Sequence, residues 1–288
     1  MNPHSYRLKG RDFVHQGKIE IDVNERAVFI RTQGCFFVYT NSDCFLNSLS
    51  GSCIEQKIGV HKVRIMVREV KWTKYLWMSL LSFGAFMLKY LSIFVIEVIF
   101  LRVDIQNYIM QQKSIHCIIM VFMWVFFIGV LLLFSRKHYR FPVRGNRTDK
   151  ISLKNWIVTL GCFIGCKIIT FIDWHTLKIV GEAQGKTVFQ FCVQYLYYIF
   201  EVMLVFLIII YGQKAIETLV KKESPIPFGG IILAMTWEAF HFVSRGVGLE
   251  IWNGISTMIF SVLSGVMYLR LNRKYLYSYL FIAMGYLL

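Results

Sequence analysis

Between residues 18 and 71 apolar and polar positions alternate with a period of two. Ile19, Ile21 and Val23 interleave with Lys18, Glu20 and Asp22, while Val63, Ile65 and Val67 interleave with Lys62, Arg64 and Arg68. Val28, Ile30 and the run over residues 35–39 add further strand-like stretches, and Asn24, Gly34, Asn41 and Gly51 punctuate them as turn residues. The pattern predicts a small all-β domain over residues 1–74, a sandwich or half-barrel of about fifty-five ordered residues, near the lower size limit for independent folding.

After Lys74 the period changes. Long apolar runs follow one another, and a bilayer core needs about twenty helical residues to cross it. Spans are predicted over residues 75–101, 114–134, 155–172, 188–211, 228–243, 252–269 and 275–288, the fifth and seventh being shorter than usual. The expected fold is an α-helical polytopic membrane protein of about seven transmembrane helices, residues 75–288, carrying the N-terminal all-β domain. Trp72, Trp77, Trp156, Trp174 and Trp252 fall near predicted span ends, where indole rings anchor.

Composition agrees with this division. Of 288 residues, 56% are apolar, which is too many for an ordinary soluble domain. The net charge of +15 sits in the gaps between apolar runs. It therefore reads as an orienting signal rather than a nucleic-acid footprint, and no nucleic-acid partner is expected. About nineteen Lys and Arg residues gather on one side and about five on the other. This predicts a cytoplasmic N-terminus, in the plasma membrane if the chain is bacterial. No leader is expected, so the first span would direct insertion. The seven cysteines are scattered without a paired framework, which fits a reducing compartment. Cys162 and Cys166, four apart in an apolar helix, read as packing residues.

Ionisable residues inside predicted spans are costly and mark the places to look for chemistry. They are Lys89, Glu97, Lys167, Glu201, Glu238 and His241. Glu97 lies near a span end and is expected to snorkel; Lys167 and Glu201 are expected to form a buried pair. Glu238 and His241, three residues apart, share a helix face, where a carboxylate and an imidazole can bind one metal ion or activate a metal-bound water. The competing reading makes them a hydrogen-bonded contact between helices. Asn253, Glu250, Asp173 and His175 are the polar residues placed in the same outer half.

The order of features in the C-terminal third resembles the CPBP family, the CAAX-protease and bacteriocin-processing membrane proteins. A basic loop over residues 212–222 leads into Pro227, Phe228, Gly229 and Gly230, then a helix ending Trp237, Glu238, Ala239, Phe240, His241; this is similar to the family's Phe-x-x-x-His motif, with Trp237 in the phenylalanine place. A helix carrying Ser264, Gly265, Tyr268, Leu269 and Arg270 resembles the one that follows in the family. Phe206 and Leu207 stand where the family's paired glutamates belong, and residues 275–288 contain no histidine, asparagine or acid for its last motif. The resemblance implies a membrane-embedded metallopeptidase: zinc on His241, Glu238 or Glu201 as general base, Asn253 as oxyanion donor and a peptide substrate. The degenerate motifs imply instead a non-catalytic pseudoprotease that recruits a peptide or protein partner through its head. A transporter using Lys167, Glu201 and His241 as a polar pathway ranks third.

Overall fold

The structure is a computed structural model. It describes the backbone of residues 20–24, 27–32, 35–40, 53–58 and 61–66, and residues 70–104, 108–139, 141, 150–242 and 250–288 in full. The chain divides into two compact units, Met1–Val70 and Lys71–Leu288.

In the first unit the strands are β1 (Glu20–Asn24), β2 (Ala27–Thr32), β3 (Cys35–Thr40), β4 (Cys53–Ile58) and β5 (His61–Met66). They pair antiparallel in the order β1-β2-β3-β5-β4, with Ile21 opposite Ile30 and Val23 opposite Val28. The segment forming β4, Cys-Ile-Glu-Gln-Lys-Ile, lacks clean alternation and was not expected as a strand.

The second unit is helical. Its elements are α1 (Trp72–Leu91), continued by a π-helical segment Ser92–Phe100, then α2 (Met110–Tyr139), α3 (Leu153–Trp174), α4 (Lys178–Ala183), α5 (Val188–Leu219), α6 (Phe228–Thr236), a 3-10 turn Glu238–Phe242, α7 (Ile251–Arg270) and α8 (Tyr275–Leu287). Among the described residues five helices are long and apolar enough to cross a membrane: Trp72–Phe100, α2, α3, α5 and α7. Helix starts follow ordinary capping rules. The Thr187 hydroxyl accepts from the Gln190 amide at 3.3 Å while the Gln190 side chain accepts from the Thr187 amide at 2.9 Å, opening α5.

The expected fifth and seventh spans are both short. Helix α6 has nine residues and the 3-10 turn five, together about 24 Å of rise against the roughly 30 Å of a hydrocarbon core. The helix gives way at Thr236, whose hydroxyl donates back to the Ile232 carbonyl at 2.8 Å, a contact that bends helices. Helix α8 has 13 residues.

Helix α5 is the axis of the bundle and packs against α1, α2, α6 and α8. Leu204 to Gln213 are all buried, as expected of a segment apolar all round. Helix α6 sits between α5 and α7 at backbone contact. A Cβ on Gly229 would lie 2.1 Å from the Ile209 carbonyl oxygen, and one on Gly230 would lie 2.5 Å from that of Ser261. Glycine is required at both. At the basic end of the bundle Arg273 donates to Glu217 at 2.6 Å. Glu217 also accepts from Gln213 at 2.9 Å and from the Ser224 amide at 3.1 Å, tying the α5–α6 loop to the α7–α8 turn.

Candidate functional site

Polar side chains of the helical unit converge at the opposite end of the bundle, where α1 ends and α2 and α5 begin. The π-helical segment matters first. Its wider turn is rare and recurs at functional sites, and here Glu97 is buried while Ile99 and Phe100 on the same segment are exposed. The carboxylate accepts from Ser92 Oγ at 3.3 Å and from Tyr108, and faces His116 Nδ1 at 2.5 Å. Glu97 therefore does not snorkel. Three partners contributed by the π-helical segment itself, the α1–α2 connection and α2 make it cheaper inside than an unpaired carboxylate at the surface of the bundle.

A second cluster forms where α4 meets α5. Glu182 pairs with Lys186 one turn on and accepts from Gln194 at 2.6 Å and Tyr198 at 2.7 Å. Burial alone would raise the Glu182 carboxyl, but the hydrogen bonds from Lys186 and Tyr198 hold it below the ordinary carboxylate value. Lys178 is buried beside it with its ammonium 3.7 Å from the ring centroid of Tyr286 and 4.7 Å from that of Tyr198. Aromatic faces stabilise a desolvated cation. Burial nonetheless pushes Lys178 down to about 8, against the opposing pull of Glu201 and Glu182.

The residues singled out from sequence lie next to these clusters. Glu201, on α5, is buried and accepts from the Tyr286 hydroxyl at 2.9 Å. It does not pair with Lys167, whose Nζ has no hydrogen-bond partner and lies 5.9 Å from the Phe163 ring centroid. The distance along the sequence gave no sign that Tyr286, 85 positions on, would take that place. Glu238 and His241 do meet, at 3.3 Å between Oε2 and Nε2, and Ser261 donates to the other Glu238 oxygen at 3.1 Å. They meet because the backbone is a 3-10 turn there, in which side chains at i and i+3 eclipse. Asn253 donates to the His241 carbonyl at 3.0 Å and to Glu250 at 3.1 Å. Its amide thus holds the entry to α7 against the turn. Trp237 stacks on Phe86 with ring centroids 3.5 Å apart, which fixes the turn to α1.

Two cavities adjoin these groups. The larger, about 500 Å³, is bordered by Lys89, Lys113, Lys186, His116, Glu201 and His241 among others. The smaller, about 90 Å³, is bordered by Asp173, Lys178, Glu238, Ser256 and Thr257. His241 and Tyr286 line both.

A catalytic zinc takes three protein ligands and keeps one open position. Among the described residues no group of three or more His, Cys, Asp and Glu side chains is close enough to hold a metal ion. The segment after the turn, residues 243–249, adds no such residue in sequence. His241 and Glu238 supply two donors, and that set does not fit such a site.

Sequence inspection missed the Glu97–His116–Tyr108 cluster, Glu182 and Lys178. His116 inside an apolar run was one signal, and the four-residue Glu182-to-Lys186 step was another. The place of Lys178 over Tyr286 had no local signal at all. No protein-family model, curated protein or solved structure matches the chain.

Proposed function

We propose that this chain is a non-catalytic membrane-embedded binding protein, a degenerate relative of the CPBP type, in which the larger polar cavity takes a ligand and the N-terminal β domain recruits a peptide or protein partner on the cytoplasmic side. The observation that carries the reading is how the polar groups are committed. Asn253 is bonded to the His241 carbonyl and Glu250, and Glu201 accepts from Tyr286, so the groups needed for metal-assisted hydrolysis are engaged in holding helices together. Meanwhile a cavity of about 500 Å³ with lysines on its wall lies within the size range of small-ligand sites. The charge asymmetry supports a cytoplasmic N-terminus.

One observation favours the peptidase reading: the Glu238–His241 contact borders a cavity of about 90 Å³, roomy enough for water. A photo-crosslinking residue at Lys113, on the wall of the larger cavity, separates the two. A binding protein yields the same captured species with or without a zinc chelator. Capture that chelation abolishes, or recovery of cleaved peptide at that position, would sink the proposal.

A further inference from the structure

Charges inside the bundle are answered unevenly. Glu97 meets His116 and Tyr108, Glu182 meets Lys186, and Glu238 meets His241 and Ser261. The lysines are less well matched. Lys89, Lys113 and Lys186 border the larger cavity, and Glu201 is the one carboxylate among its described lining residues. Glu182 already engages Lys186, and Lys178 behind Tyr286 is held by ring faces. Glu97 and Glu182 do not line the cavity and are bonded to His116, Tyr108 and Lys186, so three of the four Lys, Arg, Asp and Glu side chains on the wall itself are lysines.

The surroundings of that wall are apolar. Residues adjacent in sequence to lining positions are turned outward: Phe94 beside Ile93 is 61% exposed, Ile109 beside Met110 is 55% exposed, and Phe189 beside Gln190 is 62% exposed. A ligand that satisfies both surfaces is an amphiphile, with an anionic head for the lysines and chains that lie along the outward apolar side chains. Lysine ammoniums are compact point charges suited to phosphate oxygens, and the Gln190 side-chain amide on the same wall, whose oxygen accepts from Thr187, has N–H groups to donate. The volume exceeds that of a phosphate alone and leaves room for a glycerol-sized neighbour.

We infer that the cavity between the π-helical end of α1 and the starts of α2 and α5 binds the phosphate headgroup of an anionic phospholipid, through Lys89 and Lys113. This rests on the binding reading above and names its ligand class.

The test uses the full chain in detergent and three probes: dioleoyl phosphatidylglycerol, dioleoyl phosphatidylcholine and free glycerol phosphate, with binding read by native mass spectrometry and thermal shift. Phosphatidylglycerol should bind about tenfold more tightly than phosphatidylcholine. The preference should vanish in Lys89→Gln/Lys113→Gln and persist in Lys137→Gln, whose lysine is exposed in the last turn of α2 at the other end of the bundle. Equal binding of both lipids, or equal loss in Lys137→Gln, overturns the inference. Free glycerol phosphate competing as well as the lipid would reassign the source to a soluble phosphate and overturn the lipid claim. If the double variant does not fold, Lys113→Gln alone and the wild-type lipid preference decide in the same way. Crosslinking at Lys113 that captures a ligand other than lipid leaves the binding reading standing and removes this one.

Discussion

Replacing Glu97 with alanine removes the carboxylate that Ser92, Tyr108 and His116 share. Glu97 is 1% exposed and His116 is 8% exposed, so the partners of the missing group lose a buried acceptor. Hydrogen bonds to a charged group contribute about 1.5–3 kcal/mol and a buried polar group left unsatisfied costs about 1–3 kcal/mol, whereas single hydrogen bonds between membrane helices average about 0.6 kcal/mol. With three partners orphaned and some relaxation at a helix terminus, a loss of about 3 kcal/mol is expected. Glu97→Gln keeps the shape and an acceptor and should lose about 1 kcal/mol. The assay is reversible unfolding in mixed micelles, read by tryptophan fluorescence, since Trp124 donates to the Ala85 carbonyl at 3.0 Å within the same part of the bundle. A Glu97/His116 double-mutant cycle should give a coupling energy above about 1 kcal/mol. Loss below about 0.5 kcal/mol for Glu97→Ala with no coupling would mean that the carboxylate reaches solvent, and the cluster would be refuted.

Other outcomes follow from particular contacts. Gly230→Ala drives a Cβ to 2.5 Å from the Ser261 carbonyl oxygen and should destabilise by about 1–3 kcal/mol in the same unfolding assay, while Gly161→Ala, with open space around it, should be close to neutral. Lys178 titrates at about 8 in the fold and at 10.5 ordinarily. Between those values the unfolded chain binds the proton and the folded one does not, so stability should rise with pH from about 8 to 10.5, and the rise should be smaller in Lys178→Met. Cysteine labelling in intact cells should reach a probe at Gln184 and not one at Asn146 if the sheet is cytoplasmic; the reverse pattern would invert the proposed orientation.

Apolar run length made the long helices visible in the sequence, because a membrane demands about twenty apolar residues whatever the tertiary partners are. Their ends extend beyond the apolar runs: α2 reaches Tyr139, and α5 reaches Leu219 because buried polar residues such as Gln213 and Glu217 continue it within a hydrogen-bonded network. Run length could not foresee the break at Thr236 or the π-helical turn that moves Glu97 inward, because both depend on hydrogen bonds among neighbours. The same holds at the site. The three-residue step identified Glu238 and His241 as a pair, but on an α-helical face rather than a 3-10 turn. The partners of Glu201 and Lys178 come from helices far apart in the chain, and polar residues at such distances carry no pattern that a single sequence reveals.

The most direct measurement is the zinc content of the full chain purified without chelator, beside His241→Ala. Two donors at 3.3 Å from one another and an asparagine engaged elsewhere should hold no stoichiometric metal, and the variant should differ from wild type only by a small loss of stability. Close to one zinc per chain in wild type, lost in His241→Ala while the fold is retained, would contradict a binding protein and restore the metallopeptidase.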